Sequence, residues 1–335
     1  MGGIKEIAKM TGVSLATVSR VFNNSALVSP KTREKVLKAA KDIDYRPNVM
    51  AAALRSGKSK IIGVIVPEVN NSFFSDIING IEGVVSDSGF NIIISQTHEK
   101  QERENAALNS LLELNVDGIL MSISKETKDY TQIQKIIDSK TPIVFFDRRP
   151  TLDAINAVLL NNYLGAYIAT EHLIDMDCEN ILHIAGNPDV SIFEERKKGF
   201  VAAAQKHRVQ YLVNHLPNIK SNPEEDLNSL KDILKKHPNI DGIFAYGDEM
   251  AIHLLNLLNT LKIEVPKQVK LIGFGNANFS ALTQPSLSSI DQESSLMGEL
   301  SANLLLQNLK RKTKPTAKVL SPKLIRREST KNLDQ

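Results

Sequence analysis

The chain begins with short helical patterns and changes texture abruptly near residue 61. Ile4, Ile7 and Ala8 recur at helical spacing, Thr11-Gly12 breaks the pattern, and Ser14 offers an N-cap for a second helix from Leu15 to Phe22. A third helix starts with Ser29 as N-cap and Pro30 at the first helical position, where the missing N–H costs nothing. Val36, Leu37, Ala40 and Ile43 form its apolar stripe, and it stops before Tyr45-Arg46-Pro47. Two helices joined by a tight glycine turn, followed by a third, predict a helix-turn-helix head.

From Ile61 onward short apolar runs alternate with amphipathic segments. The runs Ile61–Val66, Asn91–Ser95, Gly118–Met121 and Ile143–Phe146 are separated by helical stretches at Phe74–Asp87, Gln101–Leu114 and Tyr130–Asp138. The alternation resumes with strands at Ile181–Ala185, Gly242–Tyr246 and Val269–Phe274, separated by helices at Glu194–His207, Glu224–Lys236 and Asp248–Leu261. Buried strands alternating with helices predict parallel sheet covered on both faces. There are more βα units than one subdomain needs, and Asp153–Asn162 reads as a midpoint. The expected fold class is α/β: two doubly wound parallel-sheet lobes facing each other across a cleft, behind an all-helical head.

Length and composition agree with that division. At roughly 100–200 residues per domain, 335 residues make two or three domains, and 42% hydrophobic against 24% charged residues implies a real core. No apolar run approaches the roughly 18–20 residues a bilayer needs, since Ile61–Val66 is stopped by Pro67. The first residues hold no apolar secretory signal, and the single cysteine, Cys178, excludes an internal disulfide framework. The expected compartment is the cytoplasm, with no membrane partner.

Charge changes the picture once it is divided along the chain. The overall balance is +3, but residues 1–60 carry twelve Lys/Arg against four Asp/Glu, leaving 29 bases and 34 acids on residues 61–335. A head at +8 on a body at −5 is the asymmetry expected when one end meets a polyanion. A basic face that is merely solvated would show the same balance. In a helix-turn-helix the second helix enters the major groove and its first residues reach base edges. Here these are Leu15, Ala16, Ser19 and Arg20. Arg20 can pair bidentately with a guanine, while Leu15 and Ala16 can pack only on thymine methyls or the sugar edge. Ser14, Thr17, Asn23 and the basic residues of the third helix are candidate phosphate contacts.

Asn48 to Leu54 is an alanine-rich stretch between head and body, shorter than the ~12–15 residues a helix needs to stand alone in water. It needs a partner: its copy in a dimer, DNA, or both. Leu54 at its end can serve as the apolar wedge that unstacks a minor-groove base step. A plain linker helix packed on its own body is the alternative.

Catalytic chemistry finds no support. Gly57-Lys58-Ser59 ends like a phosphate-binding loop, but Ala52 stands where that loop needs glycine and a strand follows rather than precedes it. Gly273-Phe274-Gly275 starts a dinucleotide fingerprint, yet Asn278 occupies the last glycine position. The seven histidines show no His-Glu-x-x-His spacing and no Gly-x-Ser-x-Gly elbow occurs. No catalytic residue, cofactor or metal is expected. Asp147-Arg148 does follow a strand at a loop, where ligands bind in open α/β sheets.

The segments Ile4-Lys5-Glu6-Ile7-Ala8, Gly12 through Asn23, Val28-Ser29, Thr32-Arg33 and Tyr45-Arg46-Pro47-Asn48 resemble the head of the LacI (lac repressor-like) transcription regulators. The likeness continues through Ile62–Pro67, Asn71-Ser72-Phe73-Phe74, Asp117-Gly118-Ile119, Phe146-Asp147-Arg148, Arg196-x-x-Gly199-Phe200, Ile272-Gly273-Phe274 and Pro285-Ser286-Leu287, over nearly the whole chain. The resemblance implies a repressor that binds double-stranded, pseudo-palindromic operator DNA as a homodimer. It also implies a body like a periplasmic sugar-binding protein, holding a small effector, a sugar or sugar derivative, between its lobes. The implied divisions are a head at 1–47, a hinge helix and linker at 48–60 and a body at 61–330. Within the body the first lobe takes 61–160 and 292–317, the second 161–291 and 318–330.

Carried over position by position, Leu54 is similar to the hinge leucine that intercalates at the operator centre and Ala51 to the small residue beside it. The DNA set is then Ser14, Leu15, Ala16, Thr17, Ser19, Arg20, Asn23, Asn48, Ala51 and Leu54. The effector set is Phe73, Phe74, Asp147, Asn161, Phe193, Arg196, Asp248 and Asn276. An Arg fork beside carboxylates and aromatic faces suits a sugar, whose hydroxyls need donors and acceptors while its ring faces stack. Three departures stand out: Gly275 replaces the family's acid after Ile-Gly-Phe, Asn161-Asn162 replaces Asp-Asn, and Gly247 replaces an Asn before Asp248. The C-terminal residues carry no leucine heptad, so a dimer is expected rather than a tetramer built through such a tail. The rival reading is a sugar-binding or sugar-modifying protein whose head is only an interaction module.

Overall fold

The structure, a computed structural model, describes residues 3–22, 27–45, 58–139, 141–216, 223–311 and 314–332. It divides into two units, Met1–Ser59 and Lys60–Gln335. In the first, helices α1 (Ile4–Thr11), α2 (Leu15–Phe22) and α3 (Pro30–Asp42) follow the expected caps. Gly12 ends α1 in the left-handed region at φ 67°, a conformation that glycine adopts without a Cβ penalty. Ser14 Oγ accepts the Thr17 N–H at 3.1 Å and Ser29 Oγ the Thr32 N–H at 3.3 Å. Ile7, Val18, Val21, Val28, Val36, Ala39 and Ala40 close the core. Leu37, expected on the buried stripe, is 47% exposed. The 36/39/40 rows of α3 face α1 and α2, so Ala39 takes the inward place instead.

In the second unit β1 (Ile61–Val66), β2 (Asn91–Gln96), β3 (Gly118–Met121), β4 (Ile143–Phe146), β5 (Asn156–Leu160) and β11 (Ala317–Leu320) form one sheet. Its order is β11-β5-β4-β3-β1-β2, and every pair is parallel. The central strands β3 and β4 are buried along their whole length, which is why their sequences are unbroken apolar runs rather than alternating ones. The second sheet, also parallel, orders β6 (Asn180–Ile184), β7 (Gln210–Asn214), β8 (Gly242–Ala245) and β9 (Lys270–Ile272) as β7-β6-β8-β9. An antiparallel pair, β10 (Ser289–Asp291) and β12 (Lys323–Ile325), lies beside it.

Helices α4 (Ser72–Asp87), α5 (Gln101–Glu113), α6 (Thr131–Asp138) and α11 (Ser294–Lys310) belong to the first lobe; α7 (Asn162–Asp175), α8 (Ser191–His207), α9 (Pro223–Lys236) and α10 (Asp248–Thr260) belong to the second. Two helix pairs approach at glycines. A Cβ on Gly80 of α4 would strike the Ser295 carbonyl of α11, one on Gly298 the Ile77 carbonyl, and one on Gly199 of α8 the Tyr163 carbonyl of α7.

The chain passes between lobes after β5, after β10 and after β11. The first crossing follows β5, which ends at Leu160 within the expected midpoint Asp153–Asn162. One expectation changes: residues 318–320, assigned to the second lobe, pair with β5 in the first. β11 is short and flanked by polar residues, and its long-range pairing leaves no local mark. Among the described residues no helix is long and apolar enough to cross a membrane.

Candidate functional site

On the head, α2 turns Val18 and Val21 inward, while Ser14, Leu15, Ala16 and Arg20 are exposed and Thr17 and Ser19 half-buried. Leu15 stands 46% exposed at the helix start. An apolar side chain there, beside Arg20, makes a surface of mixed apolar and bidentate-donor character on one helix face, as a major-groove reading helix needs. Asn23, Asn48, Ala51 and Leu54 lie outside the described residues.

The body holds a cleft of about 720 Å³ between its lobes, within the usual size of small-molecule sites, ~300–1,000 Å³. Its lining follows one rule. Glu68 comes after β1, Glu99 after β2, Lys125 after β3, Asp147 and Arg148 after β4, His215 after β7, Tyr246 after β8 and Phe274 after β9. Both sheets thus aim their carboxyl ends at the same space, where open α/β sheets bind ligands.

Arg196 on α8 is the hub of the second-lobe wall. It is buried; its Nε donates to Asn162 Oδ1 at 2.9 Å, Nη1 to the Tyr246 carbonyl at 2.6 Å and Nη2 to Gln292 Oε1 at 3.1 Å. The guanidinium carbon lies 3.6 Å from the Phe274 ring centroid, close enough for a cation–π contact. Burial holds its pKa down at about 10, so the group stays charged at neutral pH. Of its five N–H donors, two have no partner among the described residues.

The first-lobe wall is an ion network. Arg148 Nη1 and Nη2 donate to Glu99 Oε2 and Oε1 at 2.9 and 3.1 Å, the bidentate geometry that suits a guanidinium and a carboxylate. Glu99 Oε2 also accepts the Lys125 N–H at 2.8 Å, so one carboxylate ties three strand-end loops. Burial alone would raise the Glu99 pKa, but the Arg148 guanidinium holds it below the ordinary range. Asp147 sits in the left-handed region at φ 58° and is buried. Its Oδ2 meets Arg148 Nε at 3.4 Å, and its other oxygen has no hydrogen-bond partner among the described residues. Burial raises its pKa against the pull of Arg148 and Arg196.

The other expected residues divide. Phe73, Phe74, Asp147, Phe193, Arg196 and Asp248 line the cleft together. Asp248 does so as a structural post: its oxygens accept from Ser289 Oγ at 2.6 Å, Ala277 N at 2.7 Å and Ser280 Oγ at 2.8 Å. Asn161 and Asn276 are not among the lining residues. Asn161 caps α7, its Oδ1 accepting the Leu164 N–H at 2.9 Å, and Asn276 is spent on Asp291 and Arg327 at 2.9 and 2.7 Å. Asn162, next to the expected residue, is the one that holds Arg196. Glu99, Lys125 and Tyr246 were not singled out from sequence, although the strand-end rule that marked Asp147 would have found them. Gln292 follows β10 at a lobe crossing and has no such signal.

A basic helix-turn-helix head joined in one chain to a two-lobed ligand cleft defines a DNA-binding transcriptional regulator. Residues 3–48 match bacterial regulatory proteins of the lacI family, and residues 170–330 a periplasmic binding protein-like domain. The ribose operon repressor of Halalkalibacterium halodurans is 32% identical over 333 residues, covering 99% of this chain and 98% of that protein. A periplasmic binding protein/LacI transcriptional regulator from Alkaliphilus metalliredigens, solved with D-xylulofuranose, is 30% identical at a TM-score of 0.71, over 82% of this chain and all of that one. The lac repressor dimer bound to operator shares the fold at a TM-score of 0.86 and 22% identity, over 98% of this chain and 99% of that one. The chain belongs to the lacI family of bacterial regulatory proteins, whose members are transcriptional regulators and not enzymes.

Proposed function

We propose that this repressor acts in the cytoplasm as a homodimer on a pseudo-palindromic operator, and that a sugar or sugar derivative in the cleft sets its operator affinity. One observation carries the reading: the Arg196 fork faces the cleft while holding Asn162 and Gln292, which stand at two of the three lobe crossings. A ligand that engages the two spare N–H groups of Arg196 therefore pulls on the segments about which the lobes turn. Lobe closure or twist changes the spacing of the paired 48–54 segments and so the cost of folding them on DNA. Linkage requires that operator change effector affinity by the same factor as effector changes operator affinity. The sugar bound by the 30% identical regulator supports the ligand class.

The test starts from duplexes selected by the full-length protein out of a random library. The selected pool should contain inverted half-sites, and Leu54→Ala should weaken binding to selected duplex far more than to random duplex. Equal losses on both remove the wedge role of Leu54, and a pool without inverted repeats overturns the homodimer.

A further inference from the structure

The cleft lining carries more carboxylate than cation, and the excess constrains its ligand. It includes the carboxylates Glu68, Glu99, Asp147, Asp248 and Glu249 against the cations Lys125, Arg148 and Arg196. Each cation is already engaged. Arg148 is held in a fork by Glu99, and Lys125 Nζ lies 3.5 Å from the same carboxylate. Arg196 has three acceptors, and its attraction to Asp147 runs across the cleft. An anion that reached its two spare N–H groups would therefore also feel the Asp147 carboxylate on the opposite wall.

The helix ends facing the cleft point the same way. A helix N-terminus is a ready phosphate site because its N–H groups are unpaired and its dipole is positive. Here Asn71 caps α4 through the Phe73 N–H, α8 carries Glu194 in its first turn, and α10 carries Asp248 and Glu249. At Glu99, Asp248 and Asp147 a cationic ligand gains little, because the first two accept several internal donors and Asp147 is flanked by Arg148. Among the groups the cleft leaves available are one acceptor oxygen on Asp147, two N–H donors on Arg196 and the rings of Phe73 and Phe193.

We infer that the effector is an uncharged polyhydroxylated molecule and that the cleft rejects its phosphorylated form. The inference rests on the sugar-effector reading and narrows it. The hydroxyls of one polyol can donate to Asp147 and accept from Arg196, whereas a phosphate dianion can only accept.

Thermal shift of the full-length protein with D-ribose, D-xylulose, D-glucose and cellobiose, beside the phosphate esters of the same sugars, tests it. A parent sugar should stabilise the body, and its ester should bind at least ~10-fold more weakly, since like-charge juxtaposition costs several kcal/mol. Asp147→Asn should narrow that gap. An ester that binds as well as its parent overturns the charge filter and leaves the sugar reading standing. A panel in which no sugar or ester shifts the melt of protein that still binds DNA overturns the sugar reading and the inference with it. An unchanged gap in Asp147→Asn overturns the part assigned to that carboxylate.

Discussion

Arg196→Ala removes a side chain that touches both the cleft and two lobe crossings. It strips the donor from Asn162 Oδ1, the Tyr246 carbonyl and Gln292 Oε1, and the cation from the Phe274 face. An orphaned buried acceptor costs about 1–3 kcal/mol. The cleft admits water, so the low end of that range applies, and three acceptors give a loss of about 3 kcal/mol. The loss of stacking on Phe274 and the relief from burying a charge act in opposite directions and offset in part. At roughly 2–4 °C per kcal/mol for a unit of this size, the melting transition of the body should fall by about 6–12 °C, read by thermal unfolding of the full-length protein. Arg196→Lys retains a charge but cannot reach three acceptors in three directions, so it should recover about one third of the loss. A shift under about 2 °C for the alanine variant, or full recovery by lysine, would refute the account of the fork as a three-point tie.

Arg20→Ala should relax base preference at one position of each half-site by about 1–3 kcal/mol, measured by competition among duplexes; an unchanged preference reassigns Arg20 to phosphate. Gly298→Ala should destabilise the first lobe by about 1–3 kcal/mol in denaturant unfolding, because the new Cβ meets the Ile77 carbonyl, which is backbone and cannot rotate away. Stability should also fall on acidification. His183 is fully buried, its Nδ1 donates to the Phe244 carbonyl at 2.9 Å, its ring stacks on Phe244 at 4.6 Å, and burial pushes its pKa down to about 4. A folded pKa below the unfolded value near 6.5 leaves the neutral-histidine contribution complete above about pH 6.5, and it declines by about 1.4 kcal/mol per pH unit toward pH 4. His172, also held near 4, adds to the same slope. His183→Phe should flatten it in urea unfolding between those limits; an unaltered slope means that the ring is not the group that titrates.

The helix-turn-helix head was legible residue by residue because its signals are local. Ser14 and Ser29 cap their helices, Pro30 opens one, Gly12 ends another, and a buried face of two or three residues per turn is all that a small core needs. The parallel sheets were legible for the same reason, since strands covered on both faces must be apolar throughout. Asp147 was marked by its place at a strand end, Phe73, Phe74, Phe193 and Arg196 through the family likeness, and the structure gathers them in one cleft. The sequence by itself determined which segments become elements, the division of charge between head and body, and the membership of the family. Tertiary structure decided what neighbours share: that Ala39 rather than Leu37 faces the head core, that β5 and β11 join the first sheet, and that Asn161 and Asn276 bond within the walls while Asn162 and Gln292 hold Arg196. The physical reason is range. Caps, turns and periodicity act over a few residues, whereas Glu99 meets Arg148 and Arg196 meets Gln292 only because two sheets bring distant strand ends and crossings together.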